Sequence, residues 1–273
     1  MKNISISLVK GWDSMNKYWA KRTAEAQTAI TKKNLKQIER QLVKYYGATM
    51  KRVIADFEAT YDKLLSTLGD GKEPTPADLY KLDKYWQLQA QTRRELEKLG
   101  NRTIATLSKN FELNYFEIYH ALGIEGMQSF STLDKAMVTQ MINGVWVADG
   151  KNFSQRVWDN TERLMATLNE QLLHCAATGK KTSELKKELQ ERFGVSYHRA
   201  DTLARTELTH IQTQAAKQRY TDYGIQYVEV LVDEDEHTCE KCKALIGKKF
   251  LTTATPPLPV HPNERCCLIP VID

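Results

Sequence analysis

Apolar residues along the first two thirds of the chain recur every three or four positions. Leu35, Ile38, Leu42, Tyr45, Val53, Phe57, Tyr61, Leu64 and Leu68 form one such series, with a gap at residues 48–50. That period predicts a helix with a single buried stripe. The stripe is about 50 Å long at about 1.5 Å per residue, so it must pack on other helices or on a neighbouring subunit. Gly69-Asp70-Gly71 ends it. Thr75-Pro76-Ala77-Asp78 reads as a new start, with a Thr cap, a proline at the first helical position and an acid three residues after the cap. This helix is expected to run to Leu99 and to break at Gly100-Asn101. Another is expected over residues 103–122, stopped near Gly123 and Gly126. Its aromatic group of Phe111, Tyr115, Phe116 and Tyr119 reads as helix-packing core. Residues 145–150 read as an extended piece and a turn. Ser154 is the expected cap of a helix reaching Thr178 and ended by Gly179. Thr182 or Ser183 caps the next, to Phe193. Ser196 caps a further one, to Tyr223, closed by Gly224.

The period changes after that glycine. Residues 225–232, Ile-Gln-Tyr-Val-Glu-Val-Leu-Val, are rich in β-branched and aromatic types and predict a strand. Residues 249–251 and 268–272 predict two short ones. Pro256-Pro257-Leu258-Pro259 between them favours extended backbone. The expected fold class is mainly α: long helices in the N-terminal two thirds, with a small C-terminal α+β, zinc-knuckle-like subdomain of short strands. Four segments follow: a long-helix region over 1–72, a helical region over 73–144, a helical core over 145–224, and the strand plus Cys/His knuckle over 225–273.

Composition narrows the class. A chain of 273 residues holds one large or two modest domains, and 41% apolar residues suffice for a packed core. No stretch approaches the roughly 18 apolar residues of a membrane span. The first dozen residues lack the long apolar run and cleavage site of a secretory signal, which predicts synthesis and use in a cytoplasm. The net charge of +5 is unevenly placed. Residues 10–52 carry 11 Lys and Arg against 3 Asp and Glu, a local balance of +8; residues 233–240 carry five acids and no Lys or Arg. Lys32, Lys33, Lys36 and Arg40 in the basic stretch are candidates for contact with DNA or an acidic partner, against the plainer reading of a solvated helix face.

Five cysteines are present, and Cys239, Cys242, Cys266 and Cys267 fall in the last 35 residues. Without an export signal, such clustering points to metal rather than to disulfides. Cys239 and Cys242 form a CxxC turn; 18 residues later come His261, four more residues and Cys266, with Cys267 adjacent. Thiolate and imidazole are preferred zinc ligands, and two pairs from separate loops complete a tetrahedron. The spacing predicts a structural zinc held by Cys239, Cys242, His261 and either Cys266 or Cys267. With all ligands from protein, no position stays open for a substrate. His237 is a competing nitrogen ligand, read as solvated. Cys175 sits alone in a helix and reads as a small buried residue. Arg205, Glu207 and His210 share a helix, but Glu207 is read as facing away from the other two, so the set suggests ion pairing or packing rather than acid–base work. HExxH, P-loop, GxGxxG, GxSxG and the deaminase HxE…PCxxC arrangement are all absent from the sequence.

Three stretches resemble the Mu F-like family of phage minor head, or head morphogenesis, proteins. The first is Trp146-Val-Ala-Asp149-Gly150-Lys-Asn-Phe153-Ser154-Gln-Arg156-Val-Trp158. The second is Ala204-Arg205-Thr206-Glu207 with Tyr220 and Gly224. The third is the tail, Asp235-Glu-His-Thr238-Cys239-Glu-Lys-Cys242, then Gly247, Phe250, Pro257 and His261-Pro262-Asn263-Glu264-Arg265-Cys266. Glu264 stands where the family pattern frequently has Cys, and Cys267 adds a thiol one step past the usual end. The resemblance implies a structural minor capsid protein, not an enzyme, located in the phage virion at or near the portal vertex and in the host cytoplasm during assembly. The implied partners are the portal protein, the scaffold or major capsid protein, and packaged DNA; no membrane and no small-molecule substrate is implied. Two alternatives carry less. A zinc-dependent nuclease needs a second, catalytic metal on a strand–helix unit, and only 12 residues follow His261. A DNA-binding knuckle would set the acids of residues 233–236 against phosphate.

Overall fold

The structure is a computed structural model, and it describes residues 4–69, 72, 74–123, 133–232, 238–264 and 266–272, with side chains from Lys17 onward. The expectations placed on Asp70, Gly71, Gly126, the acids of 233–236 and His237 lie outside the described residues. The helices are α1 (Ile4–Leu68), α2 (Pro76–Tyr80), α3 (Asp83–Ala121), α4 (Lys135–Ile142), α5 (Phe153–Ala177), α6 (Thr182–Asp222) and α7 (Glu240–Lys243). The strands are β1 (Tyr227–Leu231), β2 (Lys249–Leu251) and β3 (Cys267–Val271). The fold is mainly α with a small C-terminal sheet, as the periodicity predicts.

Boundaries differ where glycine was read as a stop. Helix α3 runs straight through Gly100. A Cβ on that residue would lie 2.8 Å from the Trp158 ring of α5, so the glycine lets the two helices approach rather than ending one of them. Helix α6 runs through Gly194, joining what the sequence divides at Phe193 and Ser196. A glycine inside a helix costs only about 1 kcal/mol relative to alanine, and buried Leu185, Leu189, Phe193, Ala200 and Ala204 along α6 outweigh it. The cap of α5 is Asn152 rather than Ser154: its side chain accepts from the Gln155 N–H, and Gln155 returns a bond to the Asn152 N–H. Thr75 caps α2 with Asp78 in the same reciprocal way. Gly179 and Gly224 end α5 and α6 with φ of +61° and +70°, the left-handed region that favours glycine.

The chain divides into two units, each discontinuous in sequence. One comprises residues 39–107 and 145–201. Its interior is mainly apolar: Leu42, Val53, Phe57 and Leu64 of α1, Leu96 of α3, and Leu164, Leu168 and Leu172 of α5 are all buried, and the polar residues buried with them, such as Thr60, Thr92, Thr103 and Thr161, carry hydroxyls rather than amides or charges. The hydroxyl of buried Tyr61 lies 2.9 and 2.7 Å from the carbonyl oxygens of Cys175 and Lys180 and donates to them, fixing the end of α5.

The other unit comprises residues 1–38, 108–144 and 202–273. It contains the antiparallel sheet, in the order β2-β1-β3. Pro270 lies on edge strand β3, opposite Val228, where a missing N–H is tolerated. The sheet is tied to helices through a backbone carbonyl: Gln27 of α1 and Tyr220 of α6 both donate to the Leu268 oxygen, at 2.7 and 3.1 Å. The interior here is mixed. Phe111, Tyr115, Ile118, Ile211 and Tyr220 are buried beside Gln27, Asn34, Asn110, Asn114 and Gln212.

Candidate metal centre

The knuckle follows β1. Cys239 caps α7 and Cys242 lies inside that single turn. The Cys242 and Lys241 backbone N–H groups, the former foremost, hold the Cys239 thiol below its usual pKa. Burial pushes the Cys242 thiol up to about 11, with the hydrogen bond to Cys239 and the charge of Glu264 adding to it. His261 arrives from the loop after β2. Its Nε2 lies 3.2 Å from Cys242 Sγ, and its Nδ1 donates to the Pro262 carbonyl at 2.9 Å. A carbonyl only accepts, so this bond places the proton on Nδ1 and leaves Nε2 facing the thiols with a free lone pair, the form in which imidazole binds a metal.

The donors form two groups that meet at Cys242. In the first, the ligand atoms of Cys239, Cys242 and His261 lie within 4.8 Å of one another; in the second, those of Cys242, Glu264 and Cys266 do. Zinc–sulfur and zinc–nitrogen bonds of about 2.3 and 2.0 Å give a tetrahedron with edges of about 3.5 Å. The donor set therefore fits zinc in both chemistry and spacing. Cys267 is in neither group. It is the first residue of β3, and successive side chains on extended backbone face opposite sides. Cys267 packs with Ile269, two residues on, and with Ala24 of α1, while Cys266 faces Cys242 and Glu264.

Glu264 is the member that spacing did not single out. Its side chain is only 4% exposed. One carboxylate oxygen accepts from the Val260 N–H, and its backbone carbonyl accepts from the Thr209 hydroxyl at 2.9 Å. Its departure from the family pattern was the one signal of a special role. Burial, with the Glu264 carboxylate next, drives the Cys266 thiol far above its ordinary range.

The remaining candidates are dispersed. Lys32, Lys33, Lys36 and Arg40 are all exposed on α1, and Lys33 Nζ sits 2.5 Å from Glu117. Phe111, Tyr115 and Tyr119 are buried, in keeping with a packing role. Glu207 and His210 are both buried, so α6 turns them inward together, contrary to the expectation that they face apart. His210 Nδ1 donates to the Leu258 carbonyl at 3.0 Å, and burial lowers its pKa to about 4. Cys175 is buried beside Glu188, 3.6 Å from its carboxylate. Burial first, and Glu188 second, push its thiol up to about 12, the opposite of a reactive cysteine.

Residues 166–269 match the family model described as Phage Mu protein F like protein. The chain carries a Mu F-like domain. The matched residues take in the C-terminal part of α5, all of α6, β1, β2, the Cys/His knuckle and the start of β3, so two of the three stretches of resemblance lie inside the match. The segment 146–158 lies N-terminal to it. Neither a curated protein nor a solved structure matches the chain. The match over residues 166–269 agrees with the resemblance to phage head morphogenesis proteins. No described helix is long and apolar enough to cross a membrane.

Proposed function

We propose that the protein is a structural minor head protein of a tailed bacteriophage, without enzymatic activity, that acts in head assembly at or near the portal. The Mu F-like match over residues 166–269 carries this reading. The tail supports it in kind: Cys239, Cys242 and His261, with Glu264 and Cys266 beside Cys242, offer a metal a ligand set drawn entirely from protein, which suits a structural site without an open coordination position. The proposed partners are the portal protein and the scaffold or major capsid protein. Lys32, Lys36 and Arg40, at four-residue steps on α1, give an exposed basic row for packaged DNA or an acidic protein surface.

Complementation of an amber mutant tests both parts. Wild-type protein should restore infectivity and be found in purified heads. Normal infectious heads formed without the protein would end the proposal. Neutralising Lys32, Lys33, Lys36 and Arg40 together separates the contacts: DNA binding that falls steeply with salt and is lost in this variant marks phosphate contact, whereas lost incorporation into heads marks a protein contact.

A further inference from the structure

The knuckle holds five potential donors for a metal that takes four, and Cys267 is not among them. Spacing leaves the fourth place to a cysteine. The geometry points instead to the carboxylate of Glu264 as a direct metal ligand, binding through Oε1 beside Cys242 in a mixed sulfur, nitrogen and oxygen set.

Three observations carry this. Glu264 is only 4% exposed, its Oε1 is left without a close hydrogen-bond partner among the described residues, and its carboxylate interacts with the Cys266 thiol of the donor set. A bare carboxylate oxygen among thiols is costly unless a cation or a donor meets it. The second oxygen is already committed to the Val260 N–H. That division of labour, one oxygen fixed by the backbone and the other left free, is how a monodentate ligand is oriented by its surroundings. Finally, Oε1 and Oε2 belong to a side chain whose ligand atom lies within 4.8 Å of both Cys242 Sγ and Cys266 Sγ, and Cys242 also belongs to the group with Cys239 and His261. The Thr209 hydroxyl, bonded to the Glu264 carbonyl, pins the same residue to α6. A metal bound here would therefore fasten the knuckle to the helix, and an oxygen ligand would make the site harder than an all-thiolate one.

This inference rests on the reading of the tail as a metal centre, and one titration separates the two. Full-length protein, freed of metal, is titrated with cobalt(II) and then with zinc, for the wild type, Glu264→Gln, Glu264→Cys and Cys267→Ser. Thiolate-to-cobalt charge-transfer absorption reports the number of sulfur ligands. If Glu264 binds, Glu264→Cys adds a thiolate, so its charge-transfer band is stronger than the wild type's. Glu264→Gln, nearly the same in shape, loses zinc affinity by more than the roughly 10- to 100-fold expected for a group that only orients a ligand. Cys267→Ser matches the wild type in both. A Glu264→Cys spectrum identical to the wild type's overturns the proposal, even if Glu264→Gln binds more weakly, because a positioning carboxylate gives that pattern. Unchanged zinc affinity in Glu264→Gln overturns it as well. Wild-type protein that binds neither metal removes the metal centre itself and this proposal with it, while leaving the head-assembly reading to its own test.

Discussion

The unit formed by residues 39–107 and 145–201 and the knuckle of the other unit are held together by different physics. In the first, helices bring together Leu42, Phe57, Leu64, Leu96, Leu164, Leu168 and Leu172, all buried. Each such side chain contributes roughly 1.5–3 kcal/mol when removed from water, and no single contact is indispensable. In the knuckle, α7 has four residues and β2 three. Its buried members between Cys239 and Cys266 include Cys242, Thr252, Leu258, Glu264 and Cys266, a set with more metal donors than hydrocarbon. Elements this short cannot hold themselves. One region offers many interchangeable apolar contacts; the other offers few, beside a cluster of donors that a cation would join.

The sharpest way to break that contrast is to remove the metal. Structural zinc contributes on the order of 10–16 kcal/mol to small peptide sites, and part of that is expected here. Chelation, or Cys242→Ser, should expose residues 238–266 to rapid hydrogen exchange and proteolysis while residues 39–107 and 145–201 keep their protection. A knuckle equally protected with and without metal would show that its apolar contacts suffice after all.

The reverse perturbation should be smaller and blind to metal. Leu168 of α5 is fully buried. Leu168→Ala should destabilise the protein by about 2–5 kcal/mol through lost burial and the cavity left behind. Urea midpoints measured with and without chelator should give the same cost within about 0.5 kcal/mol, the usual limit of additivity for independent sites. A cost that changes more than this with metal would mean that the two regions are not separately held.

How far these features were legible in the sequence depends on the physics behind each. The helical stripe could be read because burial imposes a period: Ile38, Leu42, Val53, Phe57, Tyr61 and Leu64 are buried as the spacing requires. The strands could be read from the β-branched run at Val228 to Val230, and the Cys/His grouping from its spacing. Gly100 misleads because glycine in a helix has two meanings, a stop or a close approach, and the Trp158 ring that decides between them is 58 residues away. The segments that come together in each unit were hidden for the same reason, since residues 1–38 join 202–273 only through tertiary contact. Spacing leaves Cys266 and Cys267 as alternatives and marks Glu264 only as a departure from the family pattern. Strand alternation turns Cys267 toward Ala24, and burial turns an acid into a candidate ligand. Neither effect appears in a ligand-spacing pattern.

The gentlest test concerns the buried amides beside α1, which no apolar period predicts. Asn34 Nδ2 donates to Asn114 Oδ1 at 3.1 Å and to Glu117 Oε2 at 2.9 Å. Thr31 donates to Gln212 at 2.7 Å within the same layer. Both asparagines are essentially fully buried, and each leaves one amide atom, Asn34 Oδ1 and Asn114 Nδ2, without a partner among the described residues. The pair therefore gains one good bond but carries two desolvated groups, and its net contribution should be small. Asn34→Leu alone removes the donor from Asn114 and Glu117 and should cost about 1–3 kcal/mol, the penalty for a stranded buried polar group. Asn34→Leu with Asn114→Leu removes most of that stranding and replaces it with hydrocarbon of similar size. The double variant should lie within about 1 kcal/mol of wild type, less than the sum of the single losses. Urea unfolding of the three variants closes the cycle. If the double variant is as costly as the two singles added, the amides are not coupled. Their burial would then serve the fold through other contacts, and the polar layer of this unit would be as contact-additive as the apolar core of the other.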